Sequence, residues 1–281
     1  MGIGQLWVVG TPIGNLEDIT ARALRILKEV DLIAAEDTRH TGRLLQHFGI
    51  ITQQISLHEH NIRQRVPQLL QRLEAGQQIA LVSDAGLPGV SDPGYELITA
   101  CIAAAIPVTP IPGANAALTA LMASGLPMNR FCFEGFLPAK GRDRQQRLAA
   151  LQQETRTILL YEAPHRLVQT VTELCQVLGS DRLLVLAREL TKRHEEFWRG
   201  TLATACAHLA DHPPRGEYTL VIGGATSSSS AVDWEALKEE LSALLAQGFS
   251  LTQASSQIAT LTGLPRRRIY QLGLELRHKE S

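Results

Sequence analysis

Short apolar runs alternate along most of the chain with longer stretches in which apolar residues recur every three to four positions. That alternation predicts strand followed by helix, the pattern of an α/β fold. Residues 5–10 (QLWVVG), 32–35 (LIAA), 79–83 (IALVS) and 107–111 read as strands. Between them, Ile19, Ala23, Ile26, Leu27 and Val30 share one helical face with Asn15 placed to cap it, and a helix follows over 95–105. A second set reads as strands 131–136, 157–161, 183–188, 196–200 (antiparallel) and 217–223, with helices 142–153, 164–178 and 201–210. Two α/β domains are expected, 1–115 and 116–224, meeting near 112–124. The polar run ATSSSSA then predicts a linker over 225–232, because small polar residues have nothing to bury. The remainder, 233–281, is purely helical in pattern. Asp233 caps a helix over 234–247, and helices 251–261 and 266–278 flank a Thr-Gly-Leu-Pro turn in the manner of a helix-turn-helix.

Composition narrows the function classes only a little. Among 281 residues the hydrophobic fraction is 44% and the charged fraction 20%, as in an ordinary globular protein. The formal net charge of −1 announces no polyanionic partner, although a local basic patch is enough to hold one. The first ten residues lack a basic segment followed by a long apolar run, and no run approaches the roughly 20 apolar residues of a membrane span. A cytoplasmic protein is expected, with no membrane partner. Cys101, Cys132, Cys175 and Cys206 lie far apart without metal-ligand spacing, so they read as small apolar residues; no metal is expected, His58-Glu59-His60 being the one weak ligand pattern.

The chemistry gathers where strands end. Gly10-Thr-Pro-Ile-Gly14-Asn15-Leu16 is a glycine turn opening a helix, but it fits neither the dinucleotide nor the P-loop pattern. SDAGLPGVSDPG, residues 83–94, follows a strand with three glycines, two prolines and two aspartates. Glycines allow a ligand close to the backbone, prolines stiffen the loop, and an aspartate accepts from hydroxyl or amino groups. IPGANAA, residues 111–117, is a third such turn, running into a helix of small residues.

In this order the three segments resemble the tetrapyrrole-methylase superfamily. TPIGNLEDIT (11–20), AAEDTRHTGRLLQHFGI (34–50), HEHN (58–61), FEGFLPAKGRDR (133–144), YEAPHR (161–166), ARELTKRHEE (187–196) and GEYTLVI (216–222) narrow the resemblance to a branch that methylates ribosomal RNA. It implies two α/β domains with S-adenosylmethionine in the cleft between them, a homodimer, and transfer of a methyl group to the ribose 2′-hydroxyl of a cytidine in the decoding centre of 16S rRNA, within the small ribosomal subunit. Carried onto this chain, Pro12 and Gly14 lie over the cleft near the substrate. Asp84, Ala85, Gly86, Leu87 and Val90 line the ribose and methionine side, and Ala114, Asn115 and Ala116 the methionyl tail. Tyr161, Leu190, Glu217, Tyr218 and Thr219 enclose adenine. The superfamily more often has Gly-Asp-Pro where this chain has Asp84-Ala85-Gly86.

A ribose hydroxyl is a poor nucleophile while neutral, so a general base within hydrogen-bond reach helps its transfer. Glu36, Asp37, His58 and Glu189 are the candidates taken forward; His60 and Glu195 share their motifs, and all the carboxylates have cationic neighbours they could pair with instead. For RNA phosphates, Lys140, Arg142, Arg144 and Arg147 cluster within eight residues. Arg266-Arg267-Arg268, Arg277 and Lys279 form a second basic group near the C-terminus. Two rivals stay open: a porphyrinoid methylase of the same fold, and an RNA-binding protein without turnover. The basic segment, the linker and the terminal helices favour RNA over the first, and the retained polar loops favour catalysis over the second.

Overall fold

The computed structural model describes residues 2–225, 234–262 and 264–279. The chain divides into two compact units, Met1–Ala225 and Thr226–Ser281. Most of the expected linker, the Asp233 cap and the Gly263 turn lie outside the described residues.

The first half of the large unit carries β1 (Gln5–Val9), α1 (Ala21–Glu29), β2 (Leu32–Ala35), α2 (Thr38–His47), β3 (Gln54–Ser56), α3 (Ile62–Glu74), β4 (Gln78–Val82), α4 (Tyr95–Ala103) and β5 (Val108–Ile111). Its five strands are all parallel, in the order β3-β2-β4-β1-β5. Both faces of this sheet are covered, which is why its strands read as continuous apolar text. Leu32, Ala34, Ile79 and Leu81 pack against Leu69, Leu73, Leu97 and Cys101 on one side. Their neighbours Ile33, Ala35, Ala80 and Val82 pack against Ala23, Ile26, Leu27 and Leu45 on the other. Period-two alternation and burial on both sides are thus the same fact.

The second half holds α5 (Ala116–Ser124), β6 (Phe131–Phe136), α6 (Gly141–Leu151), β7 (Thr157–Glu162), α7 (Pro164–Leu178), β8 (Leu183–Arg188), β9 (Glu196–Thr201), α8 (Leu202–Asp211) and β10 (Tyr218–Ile222). Its sheet order is β6-β7-β10-β8-β9, parallel only between β6 and β7. Helices α6, α7 and α8 cover one face. The other face is covered by α5: Ala117, Ala120 and Leu121 meet Leu159, Val185, Ala187 and Val221, with Ile13 beside them.

In the small unit, α9 (Trp234–Ala246), α10 (Leu251–Thr262) and α11 (Arg266–Lys279) enclose a core of their own, including Leu237, Leu241, Leu251, Ile258 and Ile269. A Cβ on Gly273 would lie 2.2 Å from Leu251 Cδ1, so that glycine sets how closely α11 meets α10. Among the described residues no helix is long and apolar enough to cross a membrane.

Two readings of the first half change. Asn15 does cap a turn, accepting from Glu17 N–H at 3.0 Å, but the turn is a single 3-10 element at Leu16–Asp18. α1 starts afresh after Thr20, whose hydroxyl accepts from Ala23 N–H at 3.0 Å. Between residues 36 and 77 the pattern showed no elements, yet α2, β3 and α3 lie there. β3 is only three half-buried residues, and α3 carries Pro67 in its interior, which reads as a break although Ile62, Val66, Leu69, Leu70 and Leu73 keep helical spacing.

The ends of β1 and β5 touch through their main chains. A Cβ on Gly113 would sit 2.7 Å from the Gly10 Cα, and one on Gly10 equally close to the Gly113 Cα. Gly113→Ala should therefore cost about 1–3 kcal/mol, as overpacking against an immovable neighbour does. Thermal unfolding of the full chain checks this; an unchanged midpoint would show that the two strand ends part freely.

Candidate active site

Strands β4, β1 and β5 are neighbours, so the three glycine-bearing segments leave the same edge of the sheet side by side. They are bonded to one another. Thr11 N–H donates to Gly86 O at 2.9 Å, Gly86 N–H returns a bond to Thr11 O at 3.2 Å, and the buried Thr11 hydroxyl reaches Ser83 O at 3.2 Å. The loop after β4 needs left-handed backbone at Gly86 (φ 78°) and Gly89 (φ 82°), and it forces Ser91 into the same region at φ 65°. A non-glycine residue held there costs free energy, which surrounding structure must offset.

The facing wall comes from the second half. Leu190 stands between Glu189 (φ 48°) and Thr191 (φ 64°), two further left-handed residues, and Gly14 lies against this turn. A Cβ at Gly14 would meet Lys192 Cγ at 2.5 Å and Thr191 Oγ1 at 2.7 Å. Tyr161 at the end of β7 accepts at its hydroxyl from Ala117 N–H, 3.3 Å away, and burial pushes its phenol upward. Phe133 and Phe136 meet its ring at centroid distances of 5.0 and 5.6 Å.

These walls enclose a cavity of about 440 Å³, within the size range of small-molecule sites. Ala85, Gly86, Leu87 and Val90 line it from the first sheet, and Asn115 and Ala116 from the start of α5. Tyr161, Leu190, Glu217, Tyr218 and Thr219 line it from the second. Pro12, Gly14 and Asp84 open instead onto an adjoining cavity of about 320 Å³. Ala114 lines neither; its carbonyl oxygen packs 3.6 Å from where a Cβ on Gly86 would stand.

The sequence reading missed Ile13, Asp92, Phe136, Ala163 and Ala187, all of which line the larger cavity. Asp92 stood inside a quoted motif. Burial lifts its carboxyl to about 6, and the charges of Glu36 and Asp84 add to the effect. The other four are apolar or small, and nothing in their own chemistry marks them.

The four candidate bases line neither of these two cavities. Glu36, Asp37 and His58 open onto a third, of about 380 Å³, where they surround Asp84. Asp84 N–H donates to Glu36 Oε2 at 3.2 Å, and Asp37 N–H donates to Asp84 Oδ1 at 3.0 Å. Burial raises Glu36, with neighbouring acids adding to it, while the Arg39 guanidinium holds Asp37 far below the usual carboxylate range. His58 Nε2 lies 3.1 Å from the Asn61 amide, leaving Nδ1 buried without a partner in the structure. Glu189 braces its own turn: it accepts from Glu217 N–H at 2.9 Å and from Lys192 Nζ at 3.0 Å, contacts that lower its carboxyl. Of the two residues sharing these motifs, Glu195 accepts from Thr191 N–H at 2.6 Å and His60 is exposed.

The basic segment also divides. Lys140 and Arg142 are exposed at the start of α6, and Arg147 pairs with Glu134 at 3.1 Å. Arg144 is a correction, since its side chain is only 4% exposed. It faces α7 along with Leu148 and Leu151, donating to Glu173 (2.7 Å), Thr170 (2.8 Å) and Pro138 O (3.0 Å). A guanidinium so enclosed ties helices together and cannot meet a phosphate. Conversely, His40 and Arg43 on α2, not picked out from the sequence, line the 320 Å³ cavity. In the small unit, Arg268 lies over the Trp234 ring, 4.8 Å from its centroid, while Arg266 and Arg267 are exposed.

This architecture is shared. Residues 5–206 match the family described as Tetrapyrrole (Corrin/Porphyrin) Methylases, and residues 232–277 match the RsmI C-terminal HTH domain. The chain is 59% identical over 275 residues to a protein of Synechocystis sp. named Ribosomal RNA small subunit methyltransferase I, covering 98% of this chain and 99% of that one. A protein of the same name from Escherichia coli O157:H7 is 47% identical, with 97% and 95% covered. Among solved structures, diphthine synthase superposes with TM-score 0.62 at 16% identity, covering 78% of this chain and 90% of that one. A uroporphyrin-III-C-methyltransferase from Thermus thermophilus superposes with TM-score 0.57 at 23% identity, covering 78% and 94%. With residues 5–206 matching the family and these relatives matched over nearly their full length, the chain belongs to the tetrapyrrole methylases and, within them, to the group named ribosomal RNA small subunit methyltransferase I.

Proposed function

We propose that the protein transfers a methyl group from S-adenosylmethionine to the ribose 2′-hydroxyl of a cytidine in the decoding centre of 16S rRNA. The observation that carries this reading is the two-walled cavity opening into a second one, in a chain nearly half identical or better to relatives named for small-subunit rRNA methylation. The rRNA substrate supports a cytoplasmic location and action within the small ribosomal subunit. The resemblance to the family supports a homodimer.

The residues present suit such a cofactor. Leu87, Val90, Ala187 and Leu190 give apolar walls, Glu217 and Thr219 give polar residues, and Asp92 gives a carboxyl. When bound, the cofactor supplies an electrophilic methyl on a cationic sulfur. The protein's contribution is alignment and exclusion of water. Leu190 and Tyr161 close one side, and the Thr11–Gly86 bridge fixes the loop opposite. Glu36 and Asp37 act on this site through Asp84, whose backbone and carboxylate they hold, and His58 lines the same third cavity. Glu189 acts through the turn that carries Leu190.

A porphyrinoid acceptor is the rival. Purified protein, labelled S-adenosylmethionine and small subunits from a strain lacking the gene should give label on a cytidine ribose of 16S rRNA, mapped by mass spectrometry of nuclease fragments. Cofactor binding without labelled RNA would transfer the assignment to the small-molecule rival.

The carboxyl of Asp92 makes a second prediction. Its value is raised to about 6 from an ordinary value near 4, so it loses its charge as pH falls through 6. Affinity for the cationic S-adenosylmethionine should fall severalfold between pH 8 and pH 5, and that for neutral-sulfur S-adenosylhomocysteine should fall less. Calorimetric titration of both checks it, and Asp92→Asn should flatten the difference. In the folding equilibrium the sign is opposite: a raised carboxyl makes the native state bind the extra proton, so stability contributed by this group falls as pH rises from about 4 to about 6.

A further inference from the structure

The 320 Å³ cavity shares Ile13, Ala85 and Glu217 with the cofactor-sized one, so occupants of the two meet across these three residues. Its own lining is of mixed character. Leu16, 38% exposed, and Leu44 offer apolar surface. His40 and Arg43 stand three apart on α2, on adjacent positions of one helical face. Nearby cations have carboxylate partners: Arg39 has Asp37 at 2.6 Å, and Lys192 has Glu217 at 2.7 Å and Glu189 at 3.0 Å. His40 and Arg43 are exposed and have no ionic partner among the described residues. The acids of the neighbourhood, Glu36, Asp37 and Asp84, bond to one another's backbones or to Arg39. An unmatched guanidinium with an imidazole beside it, set against apolar surface at the door of a methyl-donor site, calls for an anion attached to something flat and partly apolar.

Resting on the function proposed above, we infer that this cavity seats the nucleotide to be methylated. The unstacked base lies against Leu16 and Leu44, and Arg43 with His40 holds the phosphodiester adjoining its ribose. Single-stranded RNA is recognised in this manner, with bases splayed onto side chains and phosphates neutralised. The exposed cations of α6 lie in the other half of the unit and line neither cavity, so they are not the ones that position the reacting ribose.

The test uses the full chain and small subunits lacking the methyl group. Arg43→Ala should raise KM for subunits about tenfold, leave kcat within about twofold, and leave S-adenosylmethionine affinity unchanged. The slope of log(kcat/KM) against log salt should shrink by about 1, the signature of one lost phosphate contact. Arg43→Lys should restore the slope, and His40→Gln should raise KM severalfold. A wild-type KM and salt slope in Arg43→Ala overturns the assignment, as does a loss confined to cofactor affinity. If wild-type enzyme labels no RNA at all, the functional reading fails first and takes this one with it.

Discussion

Main chain against main chain at the ends of β1 and β5 is the contact on which the rest of the site depends. Only because Gly10 and Gly113 lack side chains do these ends close to van der Waals distance, bringing the segment after β5 against a β1 end that the Thr11–Gly86 bridge joins to the segment after β4. A parallel sheet already directs its strands' carboxyl ends to one edge. The glycine contact adds the third segment to that bonded pair, so one continuous surface contributes lining to both neighbouring cavities.

Charge is distributed unevenly over this surface. Around Asp84 the carboxylates are held by backbone amides and by Arg39, an arrangement that keeps them close despite their repulsion. One helical turn further along α2, the Arg43 guanidinium has no carboxylate partner among the described residues. Asp84 borders both regions, lining the cavity beside His40 and the one beside Glu36. A net charge near zero therefore conceals a site with an acidic pole and a basic pole only a helix turn apart.

Much of this was legible in the order of residues, and the reasons differ by element. Strands buried on both faces announce themselves as unbroken apolar runs. The loop after β4 announces itself through glycines at positive φ, and the segments after β1 and β5 through glycines that permit close approach, so the three strand-end segments stood out. What failed to show was partnership in space. Arg144 looks like its neighbours Arg142 and Arg147 in sequence, and only the packing of α6 on α7 turns it toward Glu173. Glu36 and His58 carry the right chemistry for a base but face a different cavity, a fact set by the register of β2 and β3 and not by residue type. α3 and β3 were hidden by a proline and by brevity. Ala163 and Ala187 line the cavity for no chemical reason at all, and sequence has no vocabulary for that.

Helix α5 follows directly on the first sheet in the chain, yet its buried face belongs to the second. Ala117, Ala120 and Leu121 are sealed against strands of the far half, and the Tyr161 hydroxyl holds the helix's first turn. Among the described residues, Ile13 is the one residue of the first half packed against this core, so α5 belongs with the second sheet as a single packed body. The chain thus crosses from one wall to the other once, over residues 112–115, and the helix that follows is already part of the wall it reaches.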